Sequence, residues 1–255
     1  MSSLRARCPR CRTFTAVAVG DGYECHACGR VFAAGLVRVP RAFGRGGEPM
    51  EQAAFLDLPY PDTGTVREET LDAQSAELAA LLPRRPLVLG GCCCAHVGAV
   101  RGLAERGGRL GLVWLDAHGD LNTPETSPSG NLWGMPLRML LDEGTVRAED
   151  TALVGARSLD PGETAFLAAS GLDDDLERAL EGVDAVYVAL DLDVLDPGEA
   201  SLFVPEPEGP RVGEVEAILR DVAARAPVRG AGVTGLLPDE RNVGVAARLL
   251  AALGL

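Results

Sequence analysis

Trp114-Leu115-Asp116-Ala117-His118-Gly119-Asp120 and Ala189-Leu190-Asp191-Leu192-Asp193 decide the fold. Each run follows an apolar stretch, 110–115 and 185–190, that reads as a buried strand. Strand side chains alternate faces with period two. If the extended backbone continues, Asp116, His118 and Asp120 leave on one side, and so do Asp191 and Asp193. Four carboxylates and one imidazole then stand at the carboxyl ends of two strands, where open parallel α/β sheets bind their ligands. Such a group of carboxylates repels itself unless something positive sits among them. One or two divalent cations are the economical answer.

The chain has 255 residues, 47% of them hydrophobic, enough for one sizeable α/β domain and a small accessory unit. No apolar run is long enough to span a membrane and no signal peptide pattern opens the sequence, so a cytoplasmic location is expected. All 24 basic residues are arginine, which removes any chemistry that needs a lysine amine. The charge is uneven. Residues 1–45 hold eight Arg against Asp21 and Glu24, hence +6, and the total of −13 leaves −19 on the remainder. So acidic a body disfavours broad nucleic-acid binding, although the basic N-terminal piece could touch a polyanion.

That N-terminal piece carries Cys8-Pro9-Arg10-Cys11 and Cys25-His26-Ala27-Cys28, separated by 13 residues. Two CxxC knuckles at this spacing match a tetrahedral Cys₄ zinc site. A segment this short buries too little core to fold alone, so a structural Zn²⁺ is expected to supply much of its folding free energy. Paired disulfides and a redox CxxC are the alternatives, and a cytosolic setting with two matched knuckles disfavours both. His26 reads as a bystander. The ribbon's role is read as docking or lid formation ahead of nucleic-acid contact.

The expected organisation is a zinc ribbon over 1–35, a Gly-, Pro- and Arg-rich linker over 36–52 and an α/β domain over 53–255. Strands are expected at 53–58, 86–89, 111–115, 152–155, 185–190 and 228–233. Helices are expected at 66–82, 97–105, 131–141, 162–169, 176–180, 212–224 and 240–253. Alternation of this kind predicts a mainly parallel sheet with helices on both faces.

The stretch from Trp114 to Pro136 resembles the second metal-binding segment of the ureohydrolases: arginase, agmatinase and formiminoglutamase. Ala189-Leu-Asp-Leu-Asp-Val-Leu-Asp-Pro197 is similar to their later Ser/Ala-x-Asp-x-Asp-x-x-Asp-Pro segment. Leu89-Gly-Gly91 looks like the start of the first, and Gly155-Ala-Arg-Ser-Leu-Asp-Pro-Gly-Glu163 also fits. The resemblance covers about 53–253 and leaves the ribbon outside. It implies an arginase-like α/β fold, a two-manganese centre, and attack by a metal-bridging hydroxide on the central carbon of a guanidine or amidine. On it, Asp116 and Asp191 bridge both metals, Asp120 completes one shell, and His118 and Asp193 complete the other. Asn122, Ser129, Asn131 and Asp160 match positions that touch the substrate's far end, though the same residue types also build turns and helix caps. A homo-oligomer, trimer or hexamer, is implied as well.

Three departures from the pattern matter. The family's metal-binding His falls at Cys93 in Gly91-Cys92-Cys93-Cys94-Ala95-His96. Either Cys93 or, after a backbone shift, His96 is the ligand; Cys93 keeps the register, and a thiolate admits Zn²⁺ or Fe²⁺ beside Mn²⁺. Cys92 and Cys94 read as small packing residues. The family's proton-shuttling His is Trp133, which has no proton to exchange near neutrality and reads as an apolar wall against substrate. The family's guanidinium-binding Glu aligns with Gly235, with Glu206, Asp239 and Glu240 as conceivable substitutes.

Two functions follow. The first is a binuclear-metal hydrolase of a C–N bond in a non-standard guanidine, amidine, urea or amide-like small molecule, with ordinary arginase activity disfavoured. The second is a catalytically degenerate scaffold that keeps metal and uses the ribbon to bind a partner. A haloacid-dehalogenase-like phosphatase, read from Asp191-Leu-Asp193 alone, is excluded because that chemistry uses a downstream lysine.

Overall fold

The computed structural model describes residues 4–255. A small antiparallel sheet at the N-terminus contains β1 (Arg5–Ala6), β2 (Ala16–Val19), β3 (Gly22–Cys25) and β4 (Val31–Phe32), in that order. The main sheet has seven strands: β5 (Gly35–Val39), β6 (Asp62–Thr65), β7 (Pro86–Gly90), β8 (Leu110–Leu115), β9 (Thr151–Val154), β10 (Ala185–Asp191) and β11 (Val228–Thr234). They lie in the order β6-β5-β7-β11-β10-β8-β9, and every pairing is parallel.

Strands β5, β7, β8 and β10 are buried at every position. Continuous apolar runs are what a sheet covered on both faces requires. The covering helices include α2 (Leu71–Leu81), α3 (Cys94–Ala104), α7 (Val212–Arg225) and α8 (Arg241–Ala252). Helix α7 turns Val212, Val215, Leu219 and Val222 inward, a helical period that buries one stripe. Helix α3 lies close against α2 because Gly98 and Gly102 bear no side chain: a Cβ on either would meet the Cα of Ser75 or Ala79 at 2.7 Å.

The order of the strands builds the crevice. Strand β7 belongs to the half with β5 and β6, whereas β8, next in sequence, belongs to the half with β9. The chain therefore reverses direction across the sheet, and β10 and β11 fill the gap. The carboxyl ends of β7, β11, β10 and β8 then stand side by side at a topological switch point.

Two expectations are corrected. The segment read as linker begins with β5, in which Gly35 and residues 36–39 pair with β6 on one side and β7 on the other. Arg38 hid this strand in the sequence. Its Nε donates to Asp62 Oδ2 at 2.6 Å and its Nη1 to the carbonyls of Ala54 and Leu56 at 2.7 and 3.0 Å, so the charge is buried and satisfied. The stretch 53–58, expected as a strand, follows the short helix α1 (Glu48–Ala53) and runs into irregular chain that supplies those carbonyls. The remaining expected strands and helices all occur within a few residues of their expected ends, except that 131–141 divides into a 3₁₀ turn (Leu132–Gly134) and α4 (Pro136–Asp142).

The N-terminal sheet docks at the β6 edge. Arg7 and Asp62 exchange backbone bonds of 2.8 and 3.0 Å, and the Arg12 guanidinium pairs with both Asp57 oxygens. Among the described residues, no helix is long and apolar enough to cross a membrane.

Candidate metal centre

Each of the four central strands ends on a residue of the site. Cys93 follows β7 and opens α3, Asp116 follows β8, Asp191 ends β10 and Thr234 ends β11. The convergence does not come from continued strand alternation. Strand β8 stops at Leu115, and the chain then coils so that Asp120 adopts φ +53°, a left-handed conformation uncommon outside glycine. Asp193 likewise sits in a 3₁₀ turn (Leu192–Val194). The expectation of one extended edge is therefore replaced by two tight turns that aim the same side chains into one cavity.

The ligand-type atoms fall into two sets, each with members within 4.8 Å of one another: Cys93, Asp116 and Asp191, and Asp116, His118 and Asp193. Cys93 Sγ lies 2.8 Å from Asp191 Oδ2 and 3.9 Å from Asp116 Oδ2. His118 Nδ1 lies 3.3 Å from Asp116 Oδ1 and 3.1 Å from Asp193 Oδ2. The two oxygens of Asp116 thus face different sets, the disposition of a bridging carboxylate. Asp120 is buried, and its Oδ2 has no hydrogen-bond partner among the described residues. A buried, unpartnered carboxylate oxygen beside three other carboxylates is costly without a cation. The donor set fits one or two divalent ions.

Local bonds orient the set. Trp114 Nε1 donates to Asp116 Oδ2 at 3.2 Å and the His118 backbone N–H to Asp116 Oδ1 at 2.7 Å. The Ala117 N–H donates to Asp193 Oδ1 at 3.1 Å, and the Asp193 N–H to Asp191 Oδ1 at 3.0 Å. His118 Nε2 faces Glu206 Oε1 at 3.5 Å. Burial, with Asp193's charge behind it, pushes the Asp191 carboxyl up to about 7. Burial and Asp116 push Asp193 to about 6, while burial with Asp116 and Asp191 drives Asp120 well above its ordinary value. Burial also drives the Cys93 thiol up. For His118, burial acts against the proton, but the Asp116 and Asp193 carboxylates outweigh it and raise it to about 12. Burial and mutual repulsion thus raise the acids, and the charge of His118 offsets part of that rise.

His96, the alternative to Cys93, stands apart from both sets. Its Nδ1 is 3.0 Å from the Tyr187 hydroxyl and its Nε2 3.2 Å from Thr234 Oγ1. It is fully buried, which pushes its pKa down to about 3 and keeps it neutral. Cys92 and Cys94 are buried beside Ala42 and Met50.

The metal-type residues floor a cavity of about 220 Å³. Asn122, Ser129 and Asp160 line it, as does Ser127, which sequence reading missed. Asn122 Nδ2 donates to Asp160 Oδ2 at 2.8 Å. Asn131 is turned to the chain instead: its Oδ1 accepts from the Arg45 N–H at 3.0 Å. Trp133 forms a wall, edge-on to Phe203 at 5.8 Å, and its ring fills the space a Cβ at Gly44 would need.

Gly235 has φ +74°, and a Cβ there would lie 1.7 Å from Asp191 Oδ1. Asp191 thus occupies the space any side chain at 235 would need on this backbone. Of the conceivable substitutes for the family's glutamate, Asp239 is held by Arg241 and Glu240 stands at the N-terminal end of α8 without a side-chain capping bond, while Glu206 reaches the centre through His118.

Two residues that orient the site carried only a weak signal in the sequence, inside the Gly155–Glu163 motif. Glu163 accepts from the Leu121 N–H at 3.0 Å and the Asp160 N–H at 2.9 Å, tying the Asp120 loop to helix α5 (Pro161–Ser170). Arg157 donates to the carbonyls of Asp193, Val194 and Glu206, fixing two site loops from below.

The arginase family model matches residues 41–254. The chain belongs to the arginase family. An arginase of Staphylococcus aureus strain COL is 40% identical over 144 residues, 46% of this chain and 48% of that protein. One of Brevibacillus brevis is 35% identical over 184 residues, 57% of this chain and 62% of that protein. The chain spans about half the length of the first of these relatives. The crystal structure of arginase from Bacillus subtilis superposes with a TM-score of 0.75 at 26% identity, covering 86% of this chain and 97% of that one. The family match begins at residue 41, so the cysteine-bearing N-terminal unit stands outside it.

That unit brings Cys8, Cys11, Cys25 and Cys28 together with all four sulfurs within 4.8 Å of one another. The Cys8–Cys28 and Cys11–Cys25 separations are 4.0 and 3.9 Å, and all four are free. A disulfide needs about 2.05 Å. Four sulfurs at about 2.3 Å from one zinc ion lie about 3.8 Å apart.

Proposed function

We propose that this arginase-family chain is a binuclear-metal-dependent hydrolase of a C–N bond in a small guanidine, amidine, urea or amide-like molecule other than arginine. The observation that carries the reading is the pair of ligand sets sharing Asp116 on the floor of one pocket. Cys93, Asp116, Asp120 and Asp191 would hold one cation and Asp116, His118, Asp191 and Asp193 the other, with Mn²⁺ as the family's ordinary metal. Two cations there lower the pKa of water and stabilise charge that develops on a trigonal carbon under attack.

The chain's own residues set the rest. Glu206 faces His118 Nε2 and so fixes which nitrogen points at Asp116 and Asp193, the role a carboxylate plays behind a metal-binding histidine. Asn122, Ser127, Ser129 and Asp160 offer hydrogen bonds to the polar end of a substrate, and Trp133 with Phe203 offers an apolar face. Asn131 shapes the loop that carries them. With indole at 133 and no side chain at 235, the cavity lacks the carboxylate clamp that selects a planar cation and the imidazole that would return a proton.

The N-terminal unit, residues 1–35, is proposed as a zinc ribbon docked on the sheet edge, its Cys₄ site holding one structural Zn²⁺. Among the described residues its buried apolar core is Ala6, Cys8, Ala16, Tyr23 and Cys25, with Cys11, Ala18, Cys28 and Phe32 partly buried against it, a core small enough to need a metal for order.

The test is a panel of guanidino, amidino, ureido and amide compounds given to the metal-loaded protein, followed by ammonia and urea release. The expected result is turnover of a panel member and little or no urea from arginine. Robust urea release from arginine overturns the reading of positions 133 and 235. The absence of a carboxylate side chain at Gly235 also favours a second reading, a degenerate scaffold that binds metal and a partner. Asp120→Ala separates the two: an enzyme loses turnover, whereas a scaffold has none to lose and shows only altered stability.

A further inference from the structure

The two ligand sets differ in kind. One contains a sulfur, Cys93 Sγ, with carboxylate oxygens of Asp191 and Asp116 at 2.8 and 3.9 Å. The other contains only oxygen and nitrogen, from Asp116, Asp193 and His118. They also differ in depth: the Cys93 side chain is buried, while that of His118 is 26% exposed. Thiolates select thiophilic and borderline cations, and carboxylate-imidazole sets suit harder ones.

We propose that the centre is asymmetric in its metals. The inner subsite at Cys93 takes a thiophilic divalent cation of the Zn²⁺ or Fe²⁺ class, and the outer subsite at His118 takes a harder one such as Mn²⁺. The inference rests on the binuclear reading above and adds to it that the subsites are not equivalent.

Four features support it. Cys93 begins α3 directly after β7, so its sulfur is placed by the sheet itself. Thr234 Oγ1 approaches the same sulfur at 3.3 Å and Asp191 Oδ2 at 3.1 Å, which holds both ligands of the inner set in register. His96 is engaged by Tyr187 and Thr234, so no imidazole from the β7 side competes with the sulfur. Asp116 presents Oδ2 to the inner set and Oδ1 to the outer, so one carboxylate joins two unlike ions.

The experiment uses the full chain, stripped of metal and reloaded. With two equivalents of Zn²⁺ per chain, enough for the N-terminal cysteines and the inner subsite, and Mn²⁺ in excess, the wild type is expected to retain one Mn²⁺ per chain as an isolated, uncoupled paramagnetic signal. Zinc then fills the inner subsite and the N-terminal cysteines. A spin-coupled manganese pair in the wild type overturns the proposal while leaving the binuclear reading intact. With zinc limited to two equivalents, no manganese bound at any excess overturns that underlying reading instead.

A second measurement loads Co²⁺ and records sulfur-to-cobalt absorption in the wild type, Cys93→Ser and Asp193→Asn. The N-terminal cysteines contribute equally to all three, so differences report the centre. Cys93→Ser is expected to lose the increment of one thiolate and to weaken cobalt binding at the inner subsite by roughly ten- to hundredfold, at least the scale of losing an outer-shell partner. Asp193→Asn is expected to keep the increment. Identical spectra for the wild type and Cys93→Ser, with both subsites occupied, overturn the proposal. If Cys93→Ser does not fold, the zinc and manganese partition of the wild type decides alone.

Discussion

Gly235→Ala is the sharpest test of how the site is built, because its cost has two separable parts. The backbone there is at φ +74°, and a residue with a Cβ pays about 1–2 kcal/mol to stay left-handed. The added methyl would also lie 1.7 Å from Asp191 Oδ1, with no room for both. Asp191 is buried and held by Cys93, Thr234 and the Asp193 N–H, so its displacement breaks bonds as well as packing. Forcing one carbon into a packed site costs about 1–3 kcal/mol more. The sum, about 2–5 kcal/mol, corresponds to a fall in melting temperature of about 4–20 °C at this chain length. Gly171→Ala supplies the control. It caps α5 at φ +71° with nothing within 4 Å of the added carbon, so only the backbone part applies, about 2–8 °C. The assay is thermal unfolding of both variants with metal content measured beside it. Gly235→Ala is expected to melt lower than Gly171→Ala and to lose metal, while Gly171→Ala keeps it. Equal melting temperatures, or full metal content in Gly235→Ala, would refute the claim that position 235 is closed by Asp191.

Removal of metal should make stability depend on pH in a fixed direction. The folded-state pKa values of Asp191 and Asp193 are raised to about 7 and about 6, above the unfolded value, so their protonated forms favour folding and that advantage is lost as pH rises toward 7. His118, raised to about 12, acts in the same sense, because its advantage fades once the unfolded imidazole deprotonates. Chelator-treated protein is therefore expected to melt lower at pH 8 than at pH 5, and a flat or rising profile contradicts the charge reading. Cys8→Ser together with Cys25→Ser should open residues 5–32 to protease while the seven-stranded sheet stays resistant; equal protection in the wild type and the double variant would show that no metal orders the unit. Leu219→Ala, which empties the α7 stripe, should cost about 2–5 kcal/mol by denaturant titration without altering metal content. Glu206→Gln should weaken metal binding at the outer subsite while leaving the sulfur-to-cobalt absorption in place, and a loss of that absorption would contradict the separation of the two subsites.

By itself, the sequence determined the parallel α/β class, the order of most elements and which side chains of metal-ligating type follow the strands. Buried strands of a sheet covered on both faces have to be apolar throughout, so 110–115 and 185–190 announce themselves, and clustered carboxylates that follow such strands have few physical excuses other than a cation. The paired CxxC knuckles are legible for the same reason, since their spacing encodes a metal geometry directly. Strand β5 was illegible because Arg38 breaks its apolar run, and the partners that neutralise it lie at Asp62 and on the carbonyls of Ala54 and Leu56. Which of Cys93 and His96 faces the carboxylates also belonged to tertiary structure: both follow β7, but the fold turns the sulfur to Asp191 and the imidazole to Tyr187 and Thr234. The closing of position 235 by Asp191 and the approach of Glu206 to His118 depend on contacts 44 and 88 residues apart in the chain. Local composition specifies which groups are present, and the crossing of the sheet at β7 and β8 decides which of them meet.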